Sequence, residues 1–208
     1  MTESINLFQL FNAVTGALEN KRESLNAADD YNQNHGDNMV QIFEVISKAI
    51  KAKQGADPAD QLQYASELLR GASNSGSAQM YVRGLENASK EFTGKSFNIE
   101  KALPLIQMLM NGGEKAPAAK SSSSDMLSSL LSGLGGGSSS DKDDKLDLAD
   151  LLGAGMAFMN AKDSGSNNLE ALTKALVADT AMSKTSHRAQ SGQVVANTVM
   201  QLLSSFGK

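Results

Sequence analysis

Met39-Val-Gln-Ile-Phe-Glu-Val-Ile-Ser-Lys-Ala-Ile50 places Met39, Ile42, Phe43, Ile46 and Ile50 at steps of three and four. That is the period of one face of an α-helix, which advances 3.6 residues per turn, and not the alternation of a strand. Toward the N-terminus the same spacing recurs in Ile5, Phe8, Phe11, Val14 and Leu18. Toward the C-terminus, Asp57-Pro58 predicts a helix start, because proline at an early helical position sacrifices only an N–H that has no partner there. Its expected face is Leu62, Ala65, Leu68 and Leu69. A further helix is predicted from about Ala78 to Phe92, with Met80, Val82, Leu85 and Ala88 apolar. Another runs from Asn98 to Met110 and stops at Asn111-Gly112-Gly113. Later segments with helical signal are Leu146 to Met159, Leu169 to Ala178 and roughly Ser191 to Phe206, with a turn at Asp163 to Asn167. No period-two pattern appears, so the sequence predicts an all-α fold.

The connections differ in kind. Asn20 to Asn38 is rich in Asn and Asp, whose side chains compete with helix for local backbone groups, and it reads as a loop with a helical start. Arg70 to Ser77 is a small-residue turn between two helices. From Glu114 to Asp144 the composition changes: Ser121 to Ser124, Gly135 to Gly137 and Ser138 to Ser140 bracket one short apolar patch, Met126 to Leu134. Such composition does not offset its own ordering entropy, so residues 116–144 read as a flexible Ser/Gly-rich insertion within one domain spanning 1–208. The patch inside it reads as a transient helix.

Bulk composition excludes several functions. The 208 residues contain no cysteine, which removes disulfide scaffolds, thiol catalysis and cysteine-ligated metals and agrees with a reducing, cytoplasmic setting. The net charge of −4 is small and its Lys and Arg are scattered among acids, so no nucleic-acid footprint is expected. Met1 to Phe11 lacks the basic start of a secretory signal, and no stretch approaches a membrane span. Few aromatics and many Ala, Leu and Met residues predict an aliphatic core, to which Met156, Met159 and Met182 are assigned.

Two turns, Asn32-Gln33-Asn34-His35-Gly36-Asp37-Asn38-Met39 and Gly71-Ala72-Ser73-Asn74-Ser75-Gly76, share a small, polar character and a place between helices. Together they resemble the DhaL-like family, the nucleotide-binding subunits of dihydroxyacetone kinases. Members carry Leu-Asn-x-x-Asp, then Gly-Asp-Gly-Asp-His/Thr-Gly-x-Asn-Met opening a helix, then Arg-Gly-Ala-x-Gly-Asn-Ser-Gly opening another. Leu25-Asn26-Ala27-Ala28-Asp29 is similar to the first, His35-Gly36-Asp37-Asn38-Met39 to the end of the second, and Arg70-Gly71-Ala72-Ser73-Asn74-Ser75-Gly76 to the third with one glycine missing. Gly165-Ser166-Asn167-Asn168-Leu169-Glu170-Ala171-Leu172 resembles the family's Gly-Asp-x-Thr-Met-x-Asp-Ala-Leu, and His187-Arg188-Ala189 its Gly-Arg-Ala.

The resemblance implies an antiparallel barrel of about eight helices. ADP or ATP would sit in the loops at one end, held through magnesium, with the phosphoryl group passing to a substrate on a separate kinase subunit or domain. The implied nucleotide contacts are His35, Gly36, Asn38, Met39, Asn74, Ser75, Gly76 and Arg188, and the two turns should lie at the same end of the bundle. Anchoring the motif on His35-Gly36 puts Asn34 and Asn32 at the positions of the last two metal-ligand aspartates, and Asp29 or Asp30 at the first. Asparagine lends a carbonyl oxygen but no charge, so this set makes a degenerate magnesium site. Asp29, Asp30 and Asp37 are the alternative ligands. The family's Asp-Pro-Gly-Ala type turn is absent from Gln190 to Thr198.

Each feature also has a plainer reading. Ala72 to Gly76 is either an anion site at a helix start or a tight turn capped by Ser75. His35 is either a nucleotide contact or a solvent-facing loop residue, and His187-Arg188 either a phosphate contact or a solvated pair. Function therefore divides between a phosphotransferase subunit with a weakened metal site, a non-catalytic helical scaffold that binds a protein partner, and an unrelated helical bundle.

Overall fold

Asn6 starts the first helix through a reciprocal cap. Its side chain accepts the Gln9 backbone N–H at 2.9 Å, while the Gln9 side chain accepts the Asn6 N–H at 3.0 Å. The computed structural model describes residues 6–98, 101–112, 173–174, 177–178 and 180–206. Its helices are α1 (Leu7–Ala27), α2 (His35–Ala52), α3 (Pro58–Ala72), α4 (Gly76–Phe92), α5 (Ala102–Met110) and α6 (Ser186–Phe206), with a 3-10 turn at Ala181–Lys184 before α6. No strand occurs among the described residues, and the fold is all-α.

The expected loop from Asn20 to Asn38 is corrected. α1 continues to Ala27 and α2 opens at His35, which leaves only residues 28–34 between them. Leu25 is buried and anchors the last turns of α1, while Lys21, Arg22 and Glu23 are exposed helix formers rather than loop residues. α4 and α6 begin earlier than the apolar pattern predicts, and α5 later. α3 buries Leu62, Ala65 and Leu69 but turns Leu68 outward, 41% exposed. The insertion 116–144, the segment Leu146–Met159 and the motif from Gly165 to Leu172 lie outside the described residues. Of Leu169–Ala178, the described residues 173–174 and 177–178 are helical, with Thr173 and Val177 buried.

Short connections between packed neighbours make α1 to α4 run antiparallel. α1 packs on α2 and α6, α2 on α3, α3 on α4, and α5 on α4 and α6. Leu10, Phe11, Val14, Leu18, Ile42, Phe43, Ile46, Tyr81 and Leu85 are all fully buried in one shared core. Each such side chain contributes about 1.5–3 kcal/mol relative to exposure, so the amphipathic faces and not helix propensity hold the bundle.

Glycine permits two of these approaches. A Cβ on Gly36 would lie 2.9 Å from the Arg22 carbonyl carbon and closer still to its oxygen, so α2 meets the α1 backbone there. A Cβ on Gly84 would lie 2.6 Å from Leu109 Cα, which sets the distance between α4 and α5. Among the described residues no helix is long and apolar enough to cross a membrane.

Candidate functional site

Because α1 to α4 alternate in direction, α2 and α4 begin at the same end, beside the C-terminus of α1. The start of α6 joins them. His35, the first residue of α2, packs against His187 with ring centroids 4.6 Å apart and the rings tilted by 60°, and the next residue, Arg188, reaches the first residue of α4, Gly76. The Arg188 Nη2 atom lies 2.8 Å from where a Gly76 Cβ would stand. The two turns singled out from sequence therefore do lie at one end, joined by the His187-Arg188 segment.

His35 is 4% exposed, which corrects the solvent-facing reading. Its Nε2 lies 2.9 Å from Ser191 Oγ, 156 residues away in sequence. Ser191 donates its hydroxyl proton to the Arg188 carbonyl at 3.0 Å, so it accepts from His35 and fixes the Nε2–H tautomer. Burial holds the His35 pKa down to about 4; the nearby His187 and Arg188 lower it and Asp29 opposes them. With Ser191 fully buried and its hydroxyl occupied, the pair ties α2 to α6 and is no exposed nucleophile.

Asp29 has become the organiser of the connecting loop. Its carboxylate is buried, accepts the Tyr31 N–H at 3.2 Å and takes backbone hydrogen bonds from Asn34 and Asn32. His187 Nδ1 lies 3.9 Å away. Burial pushes the carboxyl pKa upward, but these donors and His187 outweigh it and hold it below the usual range. Gln33 adopts a φ of 53°, the left-handed region that non-glycine residues seldom enter.

The other expected metal positions are dispersed. Asp30 and Asn32 are exposed, and Asn34 Oδ1 accepts from Asn38 Nδ2 at 2.6 Å. Asp37 exchanges two hydrogen bonds of 3.1 Å with Asn26 and pairs with Arg22 at 3.7 Å, which ties it to α1. Among the described residues, no group of three or more His, Asp or Glu side chains is arranged to hold a metal ion. Of the implied nucleotide contacts, Gly36 and Met39 are buried in helix packing, and Asn74 is exposed with its carbonyl accepting from Gln79 at 3.2 Å. Ser75 caps α4 by accepting the Ala78 N–H at 3.1 Å, as the turn reading anticipated.

Arg188 is not a solvated surface residue. Its buried Nε has no hydrogen-bond partner among the described residues, and its Nη1 meets only the weak acceptor Met80 Sδ at 3.6 Å. Beyond it opens a cleft of about 260 Å³ between α4, the Asn111-Gly112 turn and the 3-10 turn, with Arg83 and Lys184 in its wall. Sequence reasoning missed both residues. Each is a single basic residue on a polar face, and only the tertiary packing brings them to Arg188. Comparisons of the chain with protein-family models, with curated proteins and with solved structures return no match.

Proposed function

We propose that this chain is a DhaL-like nucleotide-binding domain that holds ADP or ATP at the end where α2, α4 and α6 begin, without a two-magnesium cluster. One observation carries the reading. Three segments that resemble the family, far apart in sequence, meet at one place: the His187 ring packs against His35 while Arg188 reaches Gly76. Antiparallel alternation by itself puts the starts of α2 and α4 at one end; the arrival there of the start of α6, with His187 and Arg188, is what supports the family reading. Two further features support it. Gln33, in the left-handed region, occupies a position where the family turn carries glycine. The starts of α4 and α6 present backbone N–H groups outside the helical ladder to an anion. The helices that the sequence predicts over 146–159 and 169–178 would bring the bundle to the family's count.

Magnesium affinity depends on ligand charge. With asparagine at 32 and 34, and Asp29 engaged by loop amides, phosphoryl transfer of the dihydroxyacetone kinase type has lost the charge neutralisation it relies on. The domain then works as a nucleotide-responsive partner of another protein more than as a catalyst. Thermal unfolding with ADP, in EDTA and in magnesium, tests this. Saturation at 100-fold the dissociation constant adds about 2.7 kcal/mol, or ~5–10 °C for a chain of this size, in both buffers. No shift in either buffer would overturn the nucleotide reading. A shift that needs magnesium would overturn the metal-free part of it.

The scaffold reading has one observation in its favour. Tyr31 is 92% exposed in the loop at this same end, an amphipathic aromatic of the kind enriched in protein interfaces.

A further inference from the structure

We infer that the cleft beside α4 receives the Tyr31 ring of a second copy of this chain, so that two chains pair around a two-fold axis at the end where α2, α4 and α6 begin. The pairing is independent of whether the chain binds a nucleotide.

Tyr31 is 92% exposed in the connection 28–34, and its neighbours Asp30 and Asn32 are exposed as well. A single exposed aromatic is ordinary on a protein surface and decides nothing alone. Here, however, its backbone is fixed: the buried Asp29 carboxylate accepts the Tyr31 N–H at 3.2 Å, and Gln33 holds a φ of 53°. A ring presented from an ordered loop loses little conformational freedom on docking. The acceptor stands beside it. His187 lies 3.9 Å from Asp29, and the next residue, Arg188, lines the cleft together with Met80 and Arg83. Knob and cleft therefore share one end of the molecule.

The volume suits one aromatic side chain. A cavity of about 150 Å³ takes up benzene, and pockets for drug-sized ligands start at roughly 300 Å³. The cleft measures about 260 Å³. Its wall matches a phenol ring, with the Met80 thioether for the ring edge and the Arg83 guanidinium for the ring face. Arg83 donates Nε–H to the Gly112 carbonyl at 2.9 Å, which fixes its stem, and no carboxylate among the described residues pairs with it. Asp30, beside Tyr31, brings the opposite charge toward Arg83 as the ring enters. Because knob and cleft lie at the same end, one two-fold pairing fills both clefts and closes at a dimer; a knob at the far end would instead give an open chain of molecules. Two buried rings remove about 300–500 Å² from water, against the roughly 1,200 Å² of a stable interface, so the dimer is weak and concentration-dependent.

The test is sedimentation velocity of the full chain over a concentration series, without nucleotide. Wild type should move from monomer toward dimer as concentration rises, and less so at high salt, which screens Asp30 from Arg83. Tyr31→Ala, at an exposed position, should weaken association by about thirtyfold or more, the loss expected of an interface anchor. Tyr31→Phe keeps the ring and should retain the dimer. Arg83→Ala should weaken it about tenfold. Fluorescently labelled Tyr31→Ala should be drawn into dimers by added Arg83→Ala, whose Tyr31 enters its intact cleft, and not by added unlabelled Tyr31→Ala. Lys48→Ala, an exposed change on α2 whose lysine pairs with Glu44, should leave association unchanged. Circular dichroism reports a folding defect in Arg83→Ala; if that variant fails to fold, the exposed change Asp30→Lys carries the charge test, and wild type takes its place in the mixing. Wild type that stays monomeric at every concentration, or a dimer indifferent to Tyr31→Ala, overturns the pairing. A dimer lost in Tyr31→Ala but unchanged by Arg83→Ala and by Asp30→Lys overturns the cleft as the seat of the ring.

Discussion

The same chemical change at two helical glycines should act in opposite directions, and the reason is geometric. Gly16 lies inside α1 with nothing within 4 Å of the position of an added Cβ. Gly16→Ala therefore gains the difference in helix propensity, about 1 kcal/mol, and should raise the melting temperature by ~2–4 °C. Gly36 is also helical, but its Cβ would lie 2.9 Å from the Arg22 carbonyl carbon and 2.8 Å from Asn26 Oδ1. Carbon atoms rest at about 3.5–4.0 Å, so α1 and α2 must separate by roughly 1 Å. Overpacking of that kind costs about 1–3 kcal/mol. The separation also strains the paired hydrogen bonds between Asn26 and Asp37, which contribute about 1 kcal/mol each. Gly36→Ala should thus lose about 2–4 kcal/mol, or ~5–15 °C, in thermal unfolding followed by far-ultraviolet circular dichroism. It should also pull His35 away from Ser191, detectable as a His35 resonance that titrates closer to an ordinary imidazole. A Gly36→Ala protein as stable as wild type would refute the close approach of α1 and α2.

Three other outcomes are expected. Since His35 is held at about 4 against an ordinary 6.5, the unfolded chain takes up a proton between those values that the native state refuses. Its stability contribution is complete above about pH 6.5 and is lost as pH falls toward 4, by up to about 3 kcal/mol. His35→Gln, which retains an amide donor for Ser191, should flatten that slope, and urea midpoints that fall in parallel for both proteins would contradict it. Ser75→Ala should cost about 1 kcal/mol and Ser75→Gly only a few tenths, measured by urea denaturation, because only the cap on Ala78 N–H is removed. Replacing Asn32 and Asn34 together by aspartate places two charges near Asp29. Without magnesium the variant should melt lower than wild type, and with magnesium and ADP it should recover; no recovery would mean that the loop has left the family's backbone path.

The helices were legible where a buried face repeats, as in Met39 to Ile50 and in Met80, Val82, Leu85 and Ala88, because the core selects those positions. They were illegible where a single residue carries the burial. Leu25 alone marks the last turns of α1, and its polar neighbours mimic a loop because Asn and Asp disfavour helix only weakly. The end of the bundle was half legible: short turns between helices predicted which starts share a side. The burial of His35 had no local signal, since Ser191 and His187 come from the far end of the chain. Arg83 and Lys184 were invisible for the same reason.

On the proposed reading, the missing carboxylates and the unpartnered arginine nitrogen at this end are chemically linked. A phosphate can be neutralised by metal ions that carboxylates hold in place, or by cationic side chains directly. Doing both in one small volume is costly, because the carboxylates needed for the metal would pair with the arginines and withdraw them from the ligand. Here the positions that resemble metal ligands carry asparagine, the remaining buried carboxylate of Asp29 is engaged by loop amides, and Arg188 keeps a buried Nε without a partner among the described residues. On the nucleotide reading proposed above, loss of the aspartates is what leaves Arg188 available to a phosphate, rather than simply the decay of a site. That ordering sets the direction of change in the Asn32 and Asn34 double variant. Restored carboxylates should strengthen binding with magnesium and weaken it in EDTA, whereas a surface with no phosphate site would show neither.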